Sequence, residues 1–203
     1  MLRLFTRPGD IVKEIKKKKS IGNSIGVLAL AGVLFAIAAV LGTTKLISFV
    51  PGNELLTGLG GMGLGIAAVS AFLMVFIGGL FIGWILKLAM STLGTKGGYF
   101  EGLSSVAYPL MILAVSNLGS VIVTYIPYIG GLLAFLITII LTVMAFALTY
   151  RLIKELFVTD MVTAFLGVLI VWAAAVAAGL YGSAAFGLGM IGKLPIIPAV
   201  PGV

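Results

Sequence analysis

The sequence predicts an all-α fold: a polytopic membrane bundle of five transmembrane helices with a cytoplasmic N-terminus and an outside C-terminus. Three observations carry that prediction. Apolar residues make up 61% of the 203-residue chain and charged residues only 9%, against about 45–50% and about 25% in a soluble domain. The apolar residues fall into five long runs, each near or above the roughly 20 residues that cross a bilayer. The net charge of +7 collects beside the first run instead of spreading over a polar face, which suits an anionic membrane surface and not nucleic acid.

Residues 1–20, MLRLFTRPGDIVKEIKKKKS, form the first unit. Pro8 suits a first helical turn, and Asp10 and Glu14 favour a helix N-terminus. Ile11, Val12 and Ile15 make an apolar stripe, with Lys13, Lys16 and Lys17 opposite; Lys18 and Lys19 complete the basic run. This pattern predicts a short amphipathic helix lying on the membrane, its lysines toward anionic headgroups. A cleavable signal peptide is not expected, because the next apolar run is too long and no cleavage site follows it.

The transmembrane domain is expected over 21–181, with spans at about 21–41, 60–90, 106–124, 128–150 and 161–181. The second exceeds one bilayer thickness, so it must tilt, protrude or begin with a loosely ordered piece, for which GLGGMGLG (58–65) is the candidate. The tail, 182–203, is apolar but too broken by glycine and proline to predict a sixth span. Basic residues set the orientation. Arg3, Arg7, Lys13, Lys16, Lys17, Lys18, Lys19, Lys87, Lys96, Arg151 and Lys154 fall on one side, and only Lys45 and Lys193 on the other. The uncharged turn TYIPYIG, with Tyr125, Pro127 and Tyr128, fits the outer interface.

The chain has no cysteine and no histidine. Disulfide and thiol chemistry are thereby excluded, and the commonest general base and metal ligand are missing. No catalytic, metal or cofactor-binding set is expected. The polar residues within spans are Ser116, Asn117, Ser120, Thr124, Thr138, Thr142 and Thr149. Ser116, Ser120 and Thr124 share a helix face, so they could line a solute or ion path, or they could bond neighbouring helices. Glycines recur at spacing four as Gly22/Gly26, Gly61/Gly65 and Gly79/Gly83; only the last pair lies well inside a long span, where small residues let helix backbones approach.

The stretch GTKGGYFEGLSSVAYP, 94–109, stands apart from its surroundings. It lacks the spacing and the Gly-Lys-Ser/Thr triplet of a phosphate loop. Glu101, Ser104 and Ser105 make a weak catalytic case without a histidine. Gly97 and Gly98 are expected to end the exit of the second span and to start a new turn. Tyr99, Phe100 and Leu103 then form the apolar face of a short slanted helix. Tyr108 belongs at headgroup level, and Pro109 is expected to break the ladder and re-aim the chain into the third span.

This Gly97-Gly98-Tyr99-Phe100-Glu101 turn, with Leu103 and Ala107-Tyr108-Pro109, resembles the Yip family, Rab-GTPase-interacting five-span membrane proteins and their prokaryotic relatives. Phe5-Thr6-Arg7-Pro8 with Ile11, Val12, Glu14 and Ile15 is similar to the start of short prokaryotic members. The resemblance implies a five-helix fold with a cytoplasmic N-terminus. Eukaryotic members are linked to vesicle traffic, binding of prenylated GTPases and membrane shaping, and carry a long N-terminal domain with acidic and Tyr-Gly motifs. This chain has a short basic segment there, so GTPase binding does not carry across.

The expected function is a non-enzymatic integral protein, of a prokaryotic plasma membrane, that organises membrane components through helix contacts and its basic face. Its partners would be the bilayer, anionic headgroups, further copies of itself or other membrane proteins. The alternative is a small, oligomeric solute or ion transporter or channel using the polar row. A lipid-directed enzyme with Glu101 or Asp160 as base is the remaining reading.

Overall fold

A computed structural model describes the backbone of residues 8–48 and 54–191, and the side-chain surroundings over 10–45 and 63–179. The described residues form six helices: α1 (Pro8–Lys18), α2 (Ile21–Ser48), α3 (Glu54–Thr92), α4 (Tyr99–Val123), α5 (Gly130–Leu156) and α6 (Met161–Ile191). No strand occurs among the described residues. The helices α2 to α6 are long and apolar enough to cross a membrane.

The helix ends follow from local chemistry. Between α1 and α2, Lys19 takes a left-handed φ of +34°, and its N–H donates to the Ile15 carbonyl at 3.0 Å. The chain leaves α3 through Gly94, at φ +78°. There the Thr95 N–H reaches the Met90 carbonyl and the Gly94 N–H the Ser91 carbonyl, both at 3.1 Å. These are the two bonds of a Schellman motif, and glycine takes the left-handed position without a Cβ penalty. The end of α5 repeats the six-to-one bond from the Thr159 N–H to the Lys154 carbonyl at 3.2 Å. Here Val158 holds the left-handed position at φ +49°, where a β-branched residue is strained.

Several expected boundaries move. The third span begins at Tyr99, not 106, and α4 runs as one continuous helix through Pro109. The expected break is absent because a proline removes one hydrogen bond, and neighbouring helices can sustain the ladder around it. The piece at 58–65 is helical within α3. Arg151, Lys154 and Glu155 belong to the last turns of α5 and not to a connection. The first ten residues assigned to the tail continue α6 to Ile191; 192–203, like Arg3, Phe5 and Arg7, lie outside the described residues.

The bundle is organised around α4, which packs against α2, α3 and α5, while α3 and α5 both touch α6. In its most apolar stretch 39% of α4 residues are buried, against 11% for α5. The outward faces are apolar as well: Phe81, Trp84, Leu132 and Phe135 are exposed, as helices facing lipid require. The α1 helix packs against α5. Its Val12 and Ile15 are buried in the main core. The stripe expected to rest on lipid is therefore spent on the protein, and only Ile11 of the three stays half-buried.

Candidate functional site

The basic end of the bundle gathers the start of α2, the exit of α3, the start of α4, the exit of α5 and α1 itself. The family-like stretch lies at its centre. Gly98 is the N-cap of α4, and its N–H donates to Glu101 Oε2 at 2.8 Å. That is one arm of a capping box, placed where a carboxylate also meets the positive end of the helix dipole. The other carboxylate oxygen, Oε1, accepts from Lys19 Nζ at 3.4 Å. Glu101 is buried while Lys19 is exposed, so this single side chain caps α4 and ties it to the α1–α2 corner.

The glycines of the stretch divide the work differently from the expectation. Neither Gly97 nor Gly98 ends α3; Gly94 does. Gly97 is small because the Phe157 ring lies against it: a Cβ there would sit 2.0 Å from a ring carbon. Gly102, which the sequence reading passed over, meets the backbone of α3. A Cβ on it would lie 2.3 Å from the Gly83 carbonyl oxygen, and one on Gly83 would lie 3.0 Å from the Leu103 Cα. The α3 and α4 backbones thus touch at this level. Gly79, one turn further along α3, faces Leu28 and Leu110. The signal for Gly102 was its spacing of four from Gly98 in the sequence, the same spacing as Gly79 and Gly83.

The remaining residues of the stretch fill the space around these contacts. Leu103 and Ala107 are fully buried and pack with Leu28. Phe100 joins the core that holds Val12 and Ile15. The Tyr99 hydroxyl donates to the Leu80 carbonyl at 3.3 Å. Ser104 shares a buried 2.8 Å hydrogen bond with Ser24 of α2. Ser105 is the exception. Its buried hydroxyl has no partner, and Pro109, four residues on, cannot donate to its carbonyl. Neither serine has a base within reach, since Glu101 is engaged by Gly98 and Lys19. Lys96 is exposed. Asp160 caps α6, accepting from the Val162 and Thr163 N–H groups at 3.0 and 3.2 Å. A hydrogen bond from the Thr163 side chain, together with those backbone bonds, holds its carboxyl below the ordinary value, as suits a cap.

Beside Tyr108 and Phe100 a cleft of about 410 Å³ opens between α1 and the first turns of α2. Tyr108 is half-buried, packs on the core and lines this cleft.

The polar row lies elsewhere and is divided. Ser120 and Thr138 share a 2.8 Å hydrogen bond between α4 and α5, and both hydroxyls also reach the Ala134 carbonyl. Thr124 bonds the Val121 carbonyl, and Thr149 the Ala145 carbonyl. Ser116 is buried, while Asn117 and Thr142 are half-buried and outside this network. Near Pro109 and Thr149 a small apolar void of about 40 Å³ lies beside Trp172, whose buried Nε1 lacks a partner. Of the row's residues only Thr149 lines either of the two cavities described.

The opposite end carries a different polar cluster. Lys45 Nζ donates to the Thr124 carbonyl at the end of α4 and lies 5.1 Å from the centre of the Tyr125 ring. The Tyr125 hydroxyl donates to the Leu41 carbonyl at 2.8 Å. Tyr128, fully exposed in the turn, has φ +64°.

Comparison with known families places the chain beside one of them. The model of the Yip1 domain aligns with residues 2–187, nearly the whole chain. No curated protein and no solved structure matches significantly. With its five membrane-length helices and the glycine-aromatic junction at the start of α4, the chain belongs to the Yip1 domain family.

Proposed function

We propose that this integral membrane protein is a non-enzymatic organiser of membrane components, with the basic end of the bundle on the cytoplasmic side and the C-terminus outside. One observation carries the reading. Burial of Val12 and Ile15 fixes the rotation of α1, and Lys13, Lys16 and Lys17 project outward from it as exposed cations. A fixed cationic ridge at the end of a membrane bundle attracts anionic headgroups, at about 1 kcal/mol per lysine near the surface. Glu101, Tyr99 and Ser104 of the glycine-aromatic junction are engaged in capping and helix contacts, so the reading assigns recognition to the ridge and to the exposed helix faces.

The test is recovery from native membranes. Tagged wild-type protein should co-purify a reproducible set of lipids or membrane proteins, and Lys13→Gln, Lys16→Gln, Lys17→Gln should deplete it. A recovery without any specific component overturns the reading. The absence of cysteine allows an orientation test with single introduced cysteines. A membrane-impermeant maleimide applied outside cells should label Tyr128→Cys and spare Lys17→Cys; the reverse pattern contradicts the orientation.

A further inference from the structure

Pro109 lies inside α4, and the helix runs through it. In an α-helix the carbonyl of residue 105 points along the axis toward residue 109 and accepts its N–H. Proline has no N–H to give. Ser105 supplies no local remedy, because its own hydroxyl is buried and without a partner. Polar groups withdrawn from water are costly unless they are hydrogen-bonded, and a membrane interior offers no bulk water to serve them.

A second orphan lies across the bundle. Trp172 of α6 is half-buried, yet its Nε1 is buried and has no acceptor. The Phe146 ring of α5, 5.7 Å away between centroids, holds the indole from one side. Pro109, Thr149 and Trp172 line the same cavity of about 40 Å³, which is enclosed by α3, α4, α5 and α6. Thr149 is fully buried, and its hydroxyl proton is committed to the Ala145 carbonyl at 2.8 Å. Its oxygen can still accept. The wall therefore presents an indole donor, a hydroxyl acceptor and, beside the Pro109 ring, a carbonyl acceptor.

Size and chemistry select the ligand. A buried water needs about 10–15 Å³ of such volume and two to four polar partners. The cavity meets both conditions and is too small for an organic solute. Its lining carries no charged side chain, and Ile82, Leu110 and Val171 make much of the rest apolar. An ion would find no counter-charge there. A wholly apolar cavity stays dry; here the polar groups are gathered on one wall.

We propose that this cavity binds one structural water, which accepts from Trp172 Nε1–H and donates to Thr149 Oγ and to the Ser105 carbonyl. Both water protons and one lone pair are then used. Such a water adds a polar link from α6 to α4, whereas α6 packs chiefly on α3 and α5. It also gives α4 a specific means of continuing past Pro109, since ordered water is one way a transmembrane helix tolerates proline. The proposal is independent of the organising role.

The experiment uses the full chain with Trp84→Phe, an exposed change that leaves Trp172 as the single tryptophan. The protein is isotope-labelled at the indole nitrogen and held in detergent micelles. Rotating-frame Overhauser transfer from water to the indole proton separates a bound water from proton exchange by the sign of the signal. A dipolar cross-peak from water to the Trp172 Nε1–H is expected. Ala175→Val, which adds two methyl groups to the cavity wall, should abolish it. Thr149→Val keeps the side-chain shape and removes one acceptor, so the cross-peak should weaken. Pro109→Ala should weaken it too, because the restored N–H takes the Ser105 carbonyl. Absence of the cross-peak in the Trp84→Phe parent would overturn the proposal. So would parent intensity in a folded Ala175→Val protein, or a pure exchange signal, which would mean that bulk solvent reaches the indole.

Discussion

The two halves of α4 are built from similar residues and behave differently. From Phe100 to Ser116 most residues are buried; from Asn117 to Ile129 none is. The first half lies against backbone. Gly102 touches Gly83, and Gly97, just before the helix, touches the Phe157 ring. The second half is joined to its neighbours by side chains, the Ser120–Thr138 pair and, in the turn that follows, the Lys45–Tyr125 cluster; only at its last residue does backbone come close, where a Cβ on Gly130 would lie 2.4 Å from the Val123 carbonyl oxygen. The difference teaches where cohesion resides in a protein surrounded by lipid. Apolar area does little to drive helices together there, because lipid tails are as apolar as leucine; close packing and hydrogen bonds do. The glycine-aromatic junction at the start of α4 supplies that packing at the basic end, through Gly97, Gly102 and the Glu101 cap.

The largest expected effect comes from separating the backbones in the first half. Gly102→Ala should cost about 3 kcal/mol or more, above the usual range for overpacking because the obstructing atom is a backbone carbonyl that cannot turn aside. Thermal melting in detergent reads it, and an unchanged melting temperature would remove the backbone contact from the account. Glu101→Ala should cost about 1–2 kcal/mol by deleting a cap and an ion pair together. Glu101→Gln should lose less, since an amide oxygen can still accept from Gly98.

How much of this the sequence discloses follows from the range of each interaction. Span number depends on run length and hydropathy, which are local, and all five membrane-length helices are legible in the runs. Gly22/Gly26 and Gly79/Gly83 have identical spacing, yet one pair lines a cleft and the other lies against neighbouring helices. Depth within a span already marks Gly79/Gly83 as the packing pair in the sequence; that Gly22/Gly26 lines a cleft is visible only in the fold. Likewise Val12 and Ile15 read as a membrane-facing stripe because an amphipathic helix has the same pattern whether lipid or protein covers it. The continuity of α4 through Pro109 draws on support from neighbouring helices, which a local breaker rule omits. The Phe157 ring against Gly97 joins residues far apart in the chain, so no spacing marks it.

Smaller effects sharpen the contrast. Lys45→Met should cost about 1 kcal/mol through loss of the Thr124 carbonyl bond and the contact with the Tyr125 ring. Its melting change should be smaller than that of Gly102→Ala; a larger one would reverse the ranking of the two halves. Val158→Gly should stabilise by about 1 kcal/mol, because glycine accepts the left-handed position that valine occupies under strain. The smallest effect concerns Asp160. Its folded-state pKa is lowered by the bonds it accepts at the start of α6. Its contribution is therefore present above the ordinary carboxylate pKa of about 4 and lost as pH falls through the lower folded value. Amide exchange over the first turn of α6 should rise in the wild type below about pH 4 relative to an Asp160→Ala protein.

The central claim is that the glycine-aromatic junction acts by close packing. A double-mutant cycle between Gly97 and Phe157 tests it most directly, read by thermal melting of the full chain. Gly97→Ala and Phe157→Ala should each destabilise, the first by collision with the ring and the second by a cavity. Together they should destabilise much less than the sum, because the new methyl group enters the space the ring leaves. Additive losses, or a Gly97→Ala protein as stable as wild type, would contradict the account.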